Sequence, residues 1–188
     1  MDYLRRKDMK VLVTYYTESG NTEKLAQAIH DGIERADKEI VPIQEARSLE
    51  GYDVIFCGFP VQSSSVPPQV ERFLKQIPEG KLLAIFGTHG SLRGGELAVT
   101  AFYYAMSLAA KAKVIGTFGC RGKVKSKLID TLMKNPEHRG WAIEAQSAGG
   151  HPGEPDLEDG KEFARWMITK ARSLQGDVVP VGTSLTGS

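Results

Sequence analysis

Continuous apolar runs of strand length alternate with segments of helical period, and this alternation limits the possible folds more than any other feature of the chain. The runs are rich in β-branched and aromatic residues and end at turn residues, which predicts strands. They are KVLVTYY (10–16), EIVPI (39–43), DVIFCGF (53–59), LLAIFG (82–87) and KVIGTFG (113–119). Helical period is found in Thr22–Ala36, Pro67–Gln76, Glu96–Lys111, Ser126–Met133 and Leu157–Leu174.

Unbroken apolar runs indicate strands that are covered on both faces, as in a parallel sheet with helices on either side. The chain is therefore predicted to be an α/β protein with a three-layer, doubly wound sheet of five parallel strands. In this prediction residues 10–175 form the domain, residues 1–9 an N-terminal extension and residues 176–188 a C-terminal tail. Ligands of such sheets bind beyond the carboxyl ends of the strands, so function is expected in the loops after the first, third, fourth and fifth strands.

Composition excludes several classes of partner. The 24 basic and 23 acidic residues nearly balance, so no average field attracts nucleic acid or an anionic membrane surface. No apolar stretch approaches the length of about 18 residues that a membrane span requires, so no membrane insertion is expected. The only two cysteines, Cys57 and Cys120, fit a reducing cytoplasm, and no Cys/His spacing of metal-site type occurs. We expect a cytoplasmic protein without a metal site.

A loop of hydroxyl and amide residues, TESGNTEK, joins the first strand to the first helix. It places the hydroxyls of Thr17, Ser19 and Thr22 at a helix N-terminus, where unpaired N–H groups and the helix dipole favour a phosphate. The loop lacks GK[ST] and G-x-G-x-x-G, which argues against a P-loop NTPase and against a dinucleotide fingerprint. The alternative is an ordinary helix start that Ser19 or Asn21 caps.

The pattern [ST]-x-[ST]-G-x-T resembles the FMN phosphate-binding loop of the flavodoxin family. Three later segments resemble, in matching order, loops of the family branch that contains WrbA-type quinone reductases: GFPVQSSSVPPQVERFLKQ, FGTHGSLRGGE and SAGGHPGEPDLEDGKEFARW. The resemblance implies a flavodoxin-like sheet with strand order 2-1-3-4-5 and an FMN whose phosphate binds without formal positive charge. It assigns to the cofactor Thr17, Ser19, Gly20, Asn21, Thr22, Pro60, Val61, Gln62, Ser63, Ser64, Ser65, Thr88, His89, Gly90, Ser91, Gly94 and Gly95.

The same resemblance gives each loop a role. The second loop would border the N5 side of the flavin ring, with hydrogen bonds from Gln62 and Ser63, and the glycine-rich third loop would bind the pyrimidine edge. In the third loop His89 is the group that titrates near neutral pH, and Arg93 would favour an anionic reduced flavin. Each of these side chains has the alternative of being an ordinary loop residue.

Three residues in the last third of the chain have open roles. Cys120 precedes Arg121 and Lys123, a setting that favours a thiolate, whereas a small buried cysteine is the alternative. The segment NPEHRGWAIEAQSAGGHPGE has no clear period, so we expect an irregular lid or partner surface, with Trp141 as a flavin or partner contact. The resemblance of AGGHPGE to the AGG-containing turn of the WrbA-like branch implies that His151 would reach the pyrimidine edge of the flavin.

Three functions are compatible with these features. The leading hypothesis is an FMN-binding redox protein that passes electrons between a donor and an acceptor, with no general acid or base on the protein. Its partner would be a redox protein or a small-molecule electron acceptor, and a homo-oligomer remains open. The alternatives are an NAD(P)H-dependent FMN quinone or small-molecule reductase and a flavodoxin-like binding module that has lost its cofactor.

Overall fold

The structure, a computed structural model, describes residues 9–92 and 94–176. Five parallel strands form one sheet in the order β2-β1-β3-β4-β5, which confirms the predicted fold class and strand order. The strands are β1 (Lys10–Tyr15), β2 (Asp37–Pro42), β3 (Val54–Pro60), β4 (Leu82–His89) and β5 (Lys113–Arg121). Met9, which the sequence prediction assigns to the N-terminal extension, is buried in the core beside β1.

Six helices are found in the described residues, and they flank the sheet on both faces. They are α1 (Asn21–Gly32), α2 (Pro68–Gln76), α3 (Glu96–Leu108), α4 (Ser126–Met133), α5 (Arg139–Gln146) and α6 (Glu154–Leu174). Helices α1 and α6 share one core cluster with the sheet, and α2 and α3 share the other. No helix in residues 9–92 and 94–176 is long and apolar enough to cross a membrane.

Alternating side chains along each strand supply the two core clusters. In β1, Val11 and Val13 face α1 and α6, whereas Leu12 faces the cluster of α2 and α3. The same alternation in β4 places Phe86 on the first face and Ile85 on the second. Because both faces are covered, every residue of β4 is buried, which explains the continuous apolar runs in the sequence.

The helix boundaries differ from the sequence prediction where the backbone must change direction. Helix α1 ends at Gly32 rather than continuing to residue 36, because Ile33 is extended and Arg35 adopts a left-handed conformation with φ of 53°. Helix α6 begins at Glu154 instead of residue 157, with Pro155 in its first turn and the Asp156 carboxylate accepting a hydrogen bond from the Gly153 amide. The proline and the side-chain cap thus start this helix one turn before the first residue of its periodic apolar pattern.

The prediction that the segment from Asn135 to Glu154 is irregular was wrong, because this segment contains helix α5. The buried residues of α5 are small, Ala142 and Ala145, so the helix shows no stripe of large apolar side chains. Helix α5 packs against α4, and the two share a third hydrophobic cluster that includes Ile129 and Trp141. A helix of eight residues buried through alanines gives little periodic signal in the sequence.

Helices α1 and α6 approach each other closely at two glycines. A Cβ on Gly32 would lie 2.6 Å from both the Cα and the carbonyl oxygen of Lys161. A Cβ on Gly160 would lie 2.8 Å from Cδ1 of Leu25, which is fully buried. The contact at Gly32 is with backbone, so it cannot be relieved by a change of rotamer, and it fixes how deeply α6 sits against α1.

The substitution Gly32→Ala is expected to destabilise the fold by about 1–3 kcal/mol, because the added methyl group forces α1 and α6 apart. The matched control is Gly140→Ala in α5, where a Cβ meets nothing within 4 Å and helix propensity favours alanine over glycine. Urea unfolding of both variants measures the difference. An unchanged or raised free energy of unfolding for Gly32→Ala would contradict the tight helix contact.

Candidate functional site

The loops after β1, β3, β4 and β5 meet at the carboxyl edge of the sheet and enclose a small cleft. This loop cleft has a volume of about 150 Å³. It is lined by Glu18, Ser19, Asn21, Pro60, Val61, Gln62, Thr88, His89, Gly90, Gly122, Lys123, Val124, Lys125 and Leu128. Eight of the residues assigned from the sequence therefore lie in one place, together with a stretch after β5 that the assignment left out.

The first loop turns into α1 through a glycine in the left-handed conformation. Gly20 has φ of 84° and is the N-cap of α1, and its amide donates to Oγ1 of Thr17 at 3.0 Å. Within the described part of the chain no side chain caps this helix, and its N-cap is Gly20, so the alternative in which Ser19 or Asn21 serves as the cap is wrong. The first-turn amides of α1 are thus left for another acceptor at the position where a phosphate was predicted.

Thr22 is placed differently from Thr17 and Ser19. Its side chain is completely buried, and its Oγ1 lies 2.9 Å from Oγ1 of Thr88, which is also buried. This pair of hydroxyls connects the first turn of α1 to the end of β4 inside the protein. In this conformation Thr22 does not line the cleft, and its hydroxyl stabilises the junction beneath the first and third loops.

The second loop folds into a tight turn. Ser63 and Ser64 both have left-handed backbones, with φ of 47° and 59°, and the backbones of Gln62 and Ser65 exchange two hydrogen bonds. Two adjacent positive φ angles are typical of a type I′ turn, which normally favours asparagine and glycine. Gln62 lines the cleft and its Nε2 donates to Oε1 of Glu18 at 2.7 Å, whereas Ser63, Ser64 and Ser65 do not line it.

The third loop begins inside the protein. The His89 side chain is 5% exposed, with Nδ1 3.0 Å from the carbonyl oxygen of Ser91 and Nε2 close to Gly119. The imidazole therefore packs beside β5, on the face of the sheet that α3 covers. Among the glycines of this loop, Gly90 lines the cleft, whereas Gly94 and Gly95 lie farther on, at the start of α3. Arg93 lies outside the described residues.

Arg121 and Trp141 attach the α4–α5 pair to the third loop. Nη2 of Arg121 donates to the carbonyl oxygen of Glu144 and to Oγ of Ser147, both at 2.8 Å. Nε1 of Trp141 donates to Oγ of Ser91 at 3.3 Å, and the ring covers Gly90. The expectation that Trp141 lies on an irregular loop was wrong, because it belongs to α5 and packs in the cluster between α4 and α5.

The two cysteines are both buried. Cys120 is 1% exposed within the cluster of α1 and α6, so its thiol does not face the cleft. Cys57 lies in the other core cluster, and burial raises the pKa of its thiol far above the ordinary value. Among the described residues, no group of three or more His, Cys, Asp or Glu side chains could hold a metal ion.

His151 lies behind the loop that follows β5. Its Nδ1 is 2.6 Å from Oδ2 of Asp156, and its carbonyl oxygen accepts a hydrogen bond of 2.8 Å from the Lys123 amide. The imidazole does not line the cleft. The contact of His151 that bears on the site is therefore its backbone, which holds the chain at Lys123.

A second, larger cavity lies beside β2, away from the loop cleft. The connection between β2 and β3, residues 43–53, contains no helix, and a cavity of about 630 Å³ lies between it and the strands β1 and β2. This basal cavity is lined by charged residues of both signs, including Lys10, Asp37 and Glu39. None of the loops after β1, β3, β4 and β5 lines it, so the smaller loop cleft is the better candidate for a cofactor.

The hydroxyl pair of Thr22 and Thr88 can be tested by replacing each threonine with valine, which has the same shape. Each single substitution is expected to cost about 1–3 kcal/mol, because the other hydroxyl is left buried without its partner. The double variant is expected to cost less than the sum of the two single variants. A double-mutant cycle from urea unfolding measures the coupling, and strictly additive costs would contradict a direct hydrogen bond.

Loss of the Arg121 guanidinium is expected to loosen the α4–α5 pair selectively. In Arg121→Met, amide exchange in residues 126–148 should become about tenfold faster or more, because hydrogen bonds of a charged donor stabilise by about 1.5–3 kcal/mol each. Exchange in β1 and β3 should not change. Arg139→Met is the matched control, since Arg139 is exposed and donates a long hydrogen bond of 3.4 Å to the carbonyl oxygen of Met133. Equal exchange in both variants would show that Arg121 is not the attachment.

The sequence of the chain matches a known family and several known proteins. A family model described as a flavodoxin domain matches residues 12–165. The chain is 29% identical over 175 residues to the flavodoxin-like domain-containing protein BilS of Clostridioides difficile, covering 87% of this chain and 98% of that protein. It is 25% identical to an NAD(P)H dehydrogenase (quinone) of Methylocella silvestris, covering 89% of this chain and 99% of that protein.

The fold is also shared with solved structures. A flavodoxin from the domain Archaea superimposes with a TM-score of 0.60 at 20% sequence identity, covering 87% of this chain and 99% of that one. At this level of identity the likeness establishes the sheet and its helices. It agrees with the strand order and with the placement of the loops at one edge of the sheet.

Proposed function

The chain belongs to the flavodoxin domain family, and we propose that it is an FMN-binding redox protein that passes electrons between a donor and an acceptor. The observation that carries the proposal is the loop cleft, where the uncapped start of α1 meets the loops after β3, β4 and β5. Family membership supports FMN as the cofactor. The bound flavin supplies the electron chemistry, and the protein anchors, orients and tunes it.

The first loop fits a phosphate that stays bound. Ser19 is exposed at the cleft, Gly20 has open space above its α carbon, and the first-turn amides of α1 lack a side-chain acceptor. Neutral hydroxyl and amide donors at a helix N-terminus stabilise an anion without transferring it. Thr17 holds the turn through the Gly20 amide, so we propose that it shapes the loop as well as contributing a hydroxyl.

The second and third loops would bind the ring through their backbones. Pro60 and Val61 form the wall of the cleft on the side of β3, and the Val61 amide is held by the carbonyl oxygen of Thr88 at 2.8 Å. Gly90 lines the cleft on the side of β4, and its lack of a side chain lets Val124 and Trp141 pack against the third loop. A cleft of about 150 Å³ is smaller than a typical enclosed ligand pocket, so we propose a shallow site in which part of the flavin ring stays accessible to a redox partner.

An NAD(P)H-dependent reductase of quinones or other small molecules is the second candidate function. It is favoured by the similarity to a protein named as an NAD(P)H dehydrogenase (quinone) over most of both chains. The third candidate is a binding module that has lost its cofactor. The first loop argues against it, because this loop has Gly20, the Thr17 hydroxyl and a helix start without a side-chain cap, which are the features that a phosphate site needs. The two redox functions differ in whether NAD(P)H alone reduces the bound flavin.

The visible absorption spectrum of the purified protein, before and after addition of excess FMN and removal of unbound flavin, tests the proposal. Retained bands near about 370 and 450 nm are expected for an oxidised flavin cofactor. Anaerobic NAD(P)H should leave these bands unchanged if a separate protein donor is required, and should bleach them if the chain is a reductase. A folded protein that takes up no FMN would overturn both redox functions.

The substitution Ser19→Ala is expected to weaken FMN binding about tenfold, because it removes a hydroxyl donor to a charged phosphate. Fluorescence titration with FMN measures the dissociation constant. Ser107→Ala is the matched control, since the Ser107 hydroxyl is exposed on α3 and donates to the carbonyl oxygen of Tyr104. Equal FMN affinity of the two variants would remove Ser19 from the proposed phosphate site.

A further inference from the structure

The loop that joins β5 to α4, residues 122–125, is fixed by three hydrogen bonds, one each to the first loop, the third loop and the connection between α5 and α6. The Gly122 amide donates to the carbonyl oxygen of His89 at 2.8 Å, and the Lys123 amide donates to that of His151 at the same distance. Nδ2 of Asn21 donates to the carbonyl oxygen of Lys123, also at 2.8 Å. The start of α1 is therefore tied directly to the backbone of Lys123.

Gly122 allows this close contact. It is buried, and a Cβ at this position would lie 2.9 Å from Nδ2 of Asn21 and 3.2 Å from Cβ of Thr88. The loop after β5 can thus lie directly on the first and third loops only because Gly122 has no side chain. Its backbone forms one wall of the cleft in which we propose that FMN binds.

Side chains in this loop separate into an inner and an outer set. Val124 packs into the cluster between α4 and α5, and its Cγ2 lies against Gly90. Lys123 and Lys125, the residues on either side of it, are exposed and both line the loop cleft together with Ser19 and Asn21. The packing of Val124 into the cluster between α4 and α5 thus places the lysines on either side of it in the lining of the cleft.

Both lysines bring a positive charge to the lining of the cleft. Neither ammonium group forms an ion pair in residues 9–92 and 94–176. The one carboxylate that lines the cleft belongs to Glu18, and it accepts hydrogen bonds from Gln62 at 2.7 Å and from the Tyr16 hydroxyl at 3.3 Å. Two cations against one carboxylate leave this side of the cleft positive.

We propose that Lys123 and Lys125 bind the phosphate of FMN as cationic partners of the neutral first loop. The inference rests on the proposed function and replaces the expectation of a phosphate held without formal positive charge. A phosphate monoester is largely a dianion at neutral pH, so lysines at this position stabilise it by a Coulomb interaction in addition to the hydrogen bonds of the first loop. The protein should therefore discriminate FMN from riboflavin, which lacks the phosphate, partly through these two residues.

The test compares FMN with riboflavin in the double variant Lys123→Gln/Lys125→Gln. FMN affinity is expected to fall about tenfold, or about 1.4 kcal/mol, whereas riboflavin affinity should not change. FMN binding by the wild-type protein should also weaken more steeply with added salt than binding by the variant. The matched control is Lys111→Gln/Lys134→Gln, which removes the same charge from two exposed lysines that do not line the cleft.

The outcomes separate this inference from the proposed function. FMN affinity equal to that of the control variant would overturn the role of the lysines while leaving FMN binding intact. An equal loss for FMN and riboflavin would also overturn it, because that result indicates a disturbed cleft and not a lost phosphate contact. If the wild-type protein binds riboflavin and FMN equally, or binds neither, the inference is overturned together with the proposed phosphate site.

Discussion

The junction between β1 and β3 is the constraint on which the rest of the structure depends. After β1 the chain leaves toward α1 on one face of the sheet and returns as the edge strand β2, whereas after β3 it leaves toward α2 on the other face and returns as β4. Neighbouring strands whose connections diverge in this way leave a crevice at their carboxyl ends. The first and second loops border that crevice, and the loops after β4 and β5 close its far side.

The same junction depends on polar contacts beneath the cleft and at its wall. Thr22 at the start of α1 meets Thr88 at the end of β4, and Asn21 reaches the loop after β5. These contacts connect segments that are 66 and 102 residues apart in sequence. Because they are made by residues of the first loop itself, the shape of the cleft and the stability of the sheet edge depend on the same few side chains.

Most of the sheet could be predicted from the sequence, because strands buried on both faces give unbroken apolar runs. Helix α4 could be predicted with its observed bounds, since Leu128, Ile129 and Leu132 give it a clear apolar period. Helix α5 could not be predicted, because the residues that it buries are alanines and give no stripe of large apolar side chains. The roles of Thr22 and His89 could not be read either, since burial of a polar side chain depends on a partner from a distant strand.

The contribution of the β5–α4 loop to the cleft could not be predicted from the sequence either. The sequence RGKVK does not show that Gly122 packs against Asn21 or that Val124 packs against Gly90. Without those contacts, Lys123 and Lys125 are indistinguishable from other exposed lysines. The resemblance to flavodoxins predicts the neutral side of the proposed phosphate site. The charged side that we propose follows from how this particular chain packs α4 and α5 against its third loop.

The central claim is that the flavin binds at the loop cleft and not at the larger basal cavity. An NMR titration of the labelled protein with FMN tests it most directly, because backbone amide shifts report on both places in one experiment. The account predicts that the largest changes occur in residues 17–22, 60–62, 88–90 and 122–125, with little change at Lys10, Asp37 and Tyr52. Changes concentrated around the basal cavity, or no changes at saturating FMN, would contradict it.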